Sequence, residues 1–184
     1  QFIFAPVLGR LSDRYGRRPV ILIALAGSAI SSVMIGLANS LVLLFIARIL
    51  NGISGASYST AQAYVADITA PEQRAKRFGL LGAMFGIGFM LGPVLGGVLG
   101  AIDLQLPFFV AGALALANLV YGVFVLPESL PPERRRRIDA RALNPLASLY
   151  GLTRLEGVGL LFAVIACSGL AQFVLYTTWV LYTT

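Results

Sequence analysis

Arg48 stands inside an otherwise apolar run, LVLLFIARILNGISG, residues 41–55. A charged group in such a place costs roughly 3 kcal/mol or more, so it asks for a functional reason. At about 100° per residue, Arg48, Asn51, Gly55, Tyr58 and Gln62 fall within an arc of roughly 80° on one helix. A face that is polar along its length lines a water-filled cavity or another protein surface, not lipid. The simpler alternative is an arginine that snorkels to the nearby interface, which leaves the rest of the stripe unexplained. The chemistry on offer is binding and charge placement, not bond breaking. The chain has no His and one Cys, which removes most metal, proton-shuttle and triad chemistry and any internal disulfide. No clustered Asp, His or Cys marks a membrane enzyme, and neither a cofactor nor a metal is expected.

The elements that must position Arg48 follow from composition. The 184 residues are 58% hydrophobic and 12% charged, with mean hydropathy +0.83. A soluble domain carries about twice that charged fraction. A bilayer span needs ~20 apolar residues, and such blocks lie near 19–38, 41–66, 78–101, 107–126 and 157–182. Residues 1–8 read as the tail of another span. The chain starts at Gln1 inside an apolar segment and stops at WVLYTT, so it reads as a fragment of a longer protein.

The net charge is +6 and the pI about 10. Nucleic acid is not the expected partner, because the cations are dispersed over short loops between spans. Every Lys and Arg except Arg48 falls in 9–18, 67–77 or 127–156. The turns at 39–41 and 102–106 hold none. Positive loops stay inside, so these three segments are expected to be cytoplasmic, with the protein multi-pass in the plasma (inner) membrane.

The first of these segments holds more than charge. In GRLSDRYGRR, a topology signal would need only the arginines, not Gly9, Asp13 and Gly16 at fixed offsets. Gly9 would let a neighbouring helix approach closely. Asp13 would face a helix N-terminus, where the macrodipole favours an anion. Gly16 would permit a tight turn. Residues Gly9, Leu11, Asp13, Arg14, Gly16, Arg17 and Arg18 resemble the loop signature of the major facilitator superfamily between its second and third helices. That resemblance implies a latch, which joins the two halves of a transporter on the cytoplasmic side and breaks when the transporter turns inward. It also implies a proton-coupling role for Arg48, within ARILNGISGA.

In GAMFGIGFMLGPVLGGVLG, residues 82–100, Gly88, Gly92, Gly96 and Gly100 repeat every four positions, with Gly97 beside them. They form a groove in which another helix could pack at backbone contact. Pro93 should kink this helix. The series resembles the antiporter motif of drug/proton exporters, which symporters of the same fold generally lack. LPES at 126–129, ALNPLASL at 142–149 and WVLYT at 179–183 look like the tetracycline/proton antiporter subfamily. Those carriers have an aspartate in mid third helix where this chain has Ser31, so tetracycline itself is not the implied substrate.

The resemblance implies an all-α membrane protein of twelve helices, of which this chain holds the second (in part) through the seventh. Residues 1–126 would be a partial N-terminal six-helix bundle, 127–156 a cytoplasmic linker, and 157–184 the first helix of the C-terminal bundle. Export of a small drug-like or hydrophobic compound, including multidrug efflux and antibiotic resistance, would run against inward proton flow by alternating access. The cavity face would include Ser31, Arg48, Asn51, Tyr58 and Gln62, with Gln172 and Trp179 from the last span. The partners implied are a small-molecule substrate, protons and the lipid bilayer, with the full-length protein monomeric. The alternative is a symporter that imports a sugar or metabolite.

Overall fold

The computed structural model describes residues 4–135 together with 164, 167–171 and 174. Among them the secondary structure is helical throughout, without strands. Six α-helices follow in order: α1 Phe4–Tyr15, α2 Arg17–Gly36, α3 Leu41–Gly55, α4 Tyr58–Asp67, α5 Arg74–Ile102 and α6 Leu106–Val125. One-turn 3-10 helices at Pro71–Gln73 and Pro132–Arg134 follow α4 and α6. Residues Gln1–Ile138 form one compact unit and Asp139–Thr184 a second. Gln172, Trp179 and most of the 157–182 span lie outside the described residues.

Among the described residues, four segments are long and apolar enough to cross a membrane: Arg17–Gly36, Leu41–Asp67, Pro71–Ile102 and Leu106–Val125. They coincide with the first four spans expected from the sequence. The connections between them are shorter than expected. The 9–18 segment is no loop, because α1 runs to Tyr15 and α2 starts at Arg17, leaving Gly16 alone between them. Arginine is a good helix former, so the charge sits on helix ends. The 67–77 segment is likewise helical from Arg74 onward. Pro93 sits within α5, which is continuous across it.

The span expected as one helix over 41–66 is two. Ala56 N–H bonds to the Ile53 carbonyl at 3.2 Å and Ser57 N–H to the Ser54 carbonyl at 3.1 Å. These three-residue bonds wind the backbone more tightly than an α-helix. Ser59 Oγ donates to the Ala56 carbonyl at 3.1 Å, drawing that oxygen toward a side chain. The register between Arg48 and Tyr58 therefore shifts from that of a single ideal helix.

Local sequence sets the other ends. Ser40 caps α3, its Oγ accepting Leu43 N–H at 3.3 Å, as a serine at this position commonly does. Asp103 Oδ1 accepts Gln105 N–H at 2.7 Å in the turn before α6, and Pro107 occupies its first turn, where no amide is missed.

Helix α2 is the hub of the first unit. It packs along α6 and α3 and touches α1 and α4. Small residues set these approaches. A Cβ at Gly27 would run into Ser54 Oγ, and one at Gly36 would stand 3.1 Å from the Phe109 ring. A Cβ at Gly112 would lie 3.1 Å from Val33 Cγ2, and one at Gly122 3.0 Å from Leu22 Cδ2. Helices in lipid gain little from apolar burial between them, so close packing through small residues is what holds them together.

Candidate functional site

Gly16 is the only residue with positive φ among those described, at 107°, a conformation in which a side chain is strained. It turns the chain sharply enough that the last turn of α1 and the first of α2 share one set of side chains. Arg17 is the centre of that set. Its Nη1 lies 2.6 Å from Asp13 Oδ1 and donates to Ser12 Oγ at 2.6 Å. Its Nε donates to Asp67 Oδ2, at the end of α4, at 3.1 Å. Ser12 is fully buried and donates in turn to the Gly9 carbonyl at 2.6 Å. A guanidinium with a fixed fork of donors suits this bridging, which a single-point ammonium could not reproduce.

The α6 end closes the junction. Glu128 Oε1 accepts Arg17 N–H at 2.8 Å, and Ser129 Oγ donates to Asp67 Oδ2 at 3.4 Å. Tyr64 of α4 donates through its hydroxyl to the Pro127 carbonyl at 3.1 Å. Arg18 Nη2 donates to the Val123 carbonyl at 2.6 Å. Arg14 lies over the Tyr15 ring, 5.3 Å from its centroid.

This arrangement changes two expectations. Asp13 was expected to face a helix N-terminus, but in this unit it meets the Arg17 guanidinium, and the anion at the α2 N-terminus is Glu128. Gly9 was expected at a close helix approach, but no described atom lies within 4 Å of where its Cβ would be. Residue types and spacing named Asp13, Gly16 and Arg17. They missed Ser12, Tyr64, Asp67, Glu128 and Ser129. One signal for Asp67 was present: an acid closing an apolar span on the side where the basic residues gather.

The polar face of α3 and α4 is partly assembled. Asn51 Nδ2 donates to Ser31 Oγ at 3.3 Å, tying α3 to α2. Ser31 is fully buried and donates to the Ser28 carbonyl at 3.0 Å, so it stands behind Asn51 and not on an open surface. Arg48 is exposed and Gln62 half-buried. Both ion pairs among the described residues belong to Arg17, so no described acid neutralises Arg48. Tyr58 is half exposed and packs against Phe85 of α5, ring centroids 6.3 Å apart.

A cavity of about 510 Å³ opens elsewhere, between α1, α2 and α3, lined by Leu8, Leu11, Tyr15, Ile23, Leu50 and neighbours. Apart from Ser54 and the Tyr15 hydroxyl its wall is apolar, and neither the Arg17 cluster nor Arg48, Asn51, Tyr58 or Gln62 lines it. Among the described residues no cluster of three acids or cysteines could hold a metal ion.

Gly88, Gly92, Gly96 and Gly97 have no described atom within 4 Å of a would-be Cβ, and Gly100 only Pro107 Cγ at 3.9 Å. The glycine face of α5 is thus open within the described residues.

Comparison with known proteins follows the same pattern. The family model described as Major Facilitator Superfamily matches residues 1–184. A class C tetracycline resistance protein of Escherichia coli is 44% identical over 99% of this chain and 46% of its own length. A class D tetracycline resistance protein of Salmonella ordonez is 38% identical over all of this chain and 46% of its own. The chain thus spans about half the length of these curated relatives. In a crystal structure, the human organic anion transporter MFSD10 superposes with a TM-score of 0.73 at 34% identity, over 83% of this chain and 37% of that one. Membrane-length helices, the Gly16 turn with its arginine junction, and a family match from the first residue to the last all agree: the chain is a multi-pass membrane protein of the major facilitator superfamily.

Proposed function

We propose that the full-length protein is a secondary transporter that exports a small drug-like or hydrophobic compound in exchange for protons. The observation that carries this reading is the match along the whole chain to tetracycline resistance proteins. The first unit would be part of the N-terminal bundle, with the Arg17 junction at its cytoplasmic end. Alternating access would let the two bundles rock about a central site. Arg48, Asn51, Tyr58 and Gln62 would line that site, with Ser31 fixing the Asn51 amide. The proton-carrying acid would come from outside residues 1–184.

A second reading concerns the substrate. Arg48 has no described acidic partner, and the structural neighbour is an organic anion transporter. An anionic compound would supply the missing counter-charge, which an arginine inside a span requires. Both readings give Arg48 the decisive role, and one variant tests it. In inverted vesicles of full-length protein, Arg48→Ala should abolish proton-driven transport while the protein stays in the membrane. Loss for anionic compounds with retention for neutral ones would select the second reading. Full activity toward both would reduce Arg48 to an interfacial anchor.

A further inference from the structure

The turn after α6, Pro127-Glu128-Ser129-Leu130, is held from three sides by residues far away in sequence. Glu128 is the tightest point. Its carboxylate lies so close to Gly16 that a Cβ there would collide with it. Its Oε1 accepts two amides, Arg17 N–H at 2.8 Å and Leu130 N–H at 3.1 Å. The first of these is the opening amide of α2, where an anion is favoured by the helix dipole. Leu130 is buried, at 8% exposure. Ser129 and the Pro127 carbonyl add bonds to Asp67 and Tyr64 of α4.

We propose that Glu128 is a positioning residue that holds the Arg17 backbone so that its guanidinium can bridge Asp13 and Asp67, and that it ties the start of the inter-bundle linker to that junction. The proposal rests on the transport reading for its effect on the cycle, but not for the bracing itself. The geometry separates the two ends of Arg17. Its side chain reaches α1 and α4, and its amide is fixed by the segment that leaves α6. The turn is thus joined to the Arg17 amide by one carboxylate, and to α4 by Ser129 and the Pro127 carbonyl. Gly16 completes the device: any side chain there would displace Glu128.

Glu128→Gln keeps an oxygen that accepts both amides and removes the charge, whereas Glu128→Ala removes the acceptor. Both belong in the full-length protein, with Arg17→Ala and the Arg17→Ala, Glu128→Ala double variant. Amide exchange in the peptide spanning 14–20 should quicken in Glu128→Ala and stay near the parent in Glu128→Gln, with α5 unchanged in both. Losing a capping acceptor should lower kcat for transport about tenfold while KM moves little. Glu128→Gln should recover most of the rate. The double variant should be no slower than Arg17→Ala, since residues acting through one another are not additive. Unchanged exchange at 14–20 in Glu128→Ala overturns the bracing. Parental kcat in Glu128→Ala, or multiplied losses in the double variant, overturns its action through Arg17. A parent that moves no compound defeats the transport reading and leaves the exchange result to decide the bracing.

Discussion

Helices α2 and α5 are both apolar, both long enough to span a bilayer, and both bordered by glycines, yet they live in opposite surroundings. A third of the most apolar stretch of α2 is buried within the chain (33%), against none of the corresponding stretch of α5 (0%), counting described residues only. Around α2 the glycines are placed singly, at Gly27, Gly36, Gly112 and Gly122, and each faces a side chain on a neighbouring helix. Along α5 the glycines come in series, and among the described residues only Gly100 has a neighbour, Pro107, within 4 Å of a Cβ. The difference separates two uses of the same residue. A lone glycine at a filled crossing sets a permanent helix distance. A glycine row on a face that is open among the described residues leaves room for a backbone to approach closely, and whether that contact slides is what the variants below test.

The largest effect should come from filling a crossing. Gly112→Leu would force its side chain toward Val33 and the Ala29 carbonyl, already 3.1 and 3.5 Å from a Cβ. Overpacking a close contact costs about 1–3 kcal/mol and sometimes more, a large share of a typical stability. Full-length protein with this change should show sharply reduced abundance and a lowered Tm of the purified material. A variant that accumulates and melts like the parent would mean that the α2–α6 seam is looser than its distances imply.

This contrast also marks what the sequence could and could not reveal. The four spans and the Gly16 turn were legible because each is written in a contiguous stretch. The glycine series on α5 was legible for the same reason, as a pattern. The glycines at the α2 crossings were not, since each is isolated and its partner sits on another helix. Glu128 shows the limit most clearly. It lies 111 residues from Arg17, and LPES offered a likeness but no partner. The α3–α4 break was missed because no proline announces it; two serines and an alanine carry it through local hydrogen bonds. Within the first unit the anion at the α2 N-terminus is Glu128, which no local pattern pointed to.

A middle-sized effect, on function and not on folding, is expected from the open face. A Cβ at Gly96 has no described atom within 4 Å, so abundance and Tm of Gly96→Leu should stay close to parental. If the groove receives a helix that must slide during alternating access, the leucine would hold that helix off, and transport should fall about tenfold or more. Efflux assays on whole cells, normalised to protein in the membrane, separate the two quantities. Parental transport by Gly96→Leu would place the groove against lipid, and the argument for an exporter over an importer would lose its glycine support.

The smallest effect belongs to Gly79→Leu, which gives the comparison its scale. Gly79 lies on the same helix as Gly96 and is just as open, with no described atom within 4 Å of its Cβ position. At about 100° per residue it points roughly 100° away from Gly96. It also stands outside the four-residue series and close to the helix start. Leucine is the better helix former by somewhat under 1 kcal/mol, and lipid tails are as apolar as leucine, so a lipid-facing side chain there costs nothing in packing. Gly79→Leu should therefore match the parent in abundance, Tm and efflux. If it fails in efflux as badly as Gly96→Leu, the sensitivity belongs to α5 as a whole and not to one face of it. The distinction between fixed crossings and a sliding groove would then have to be redrawn around the entire helix.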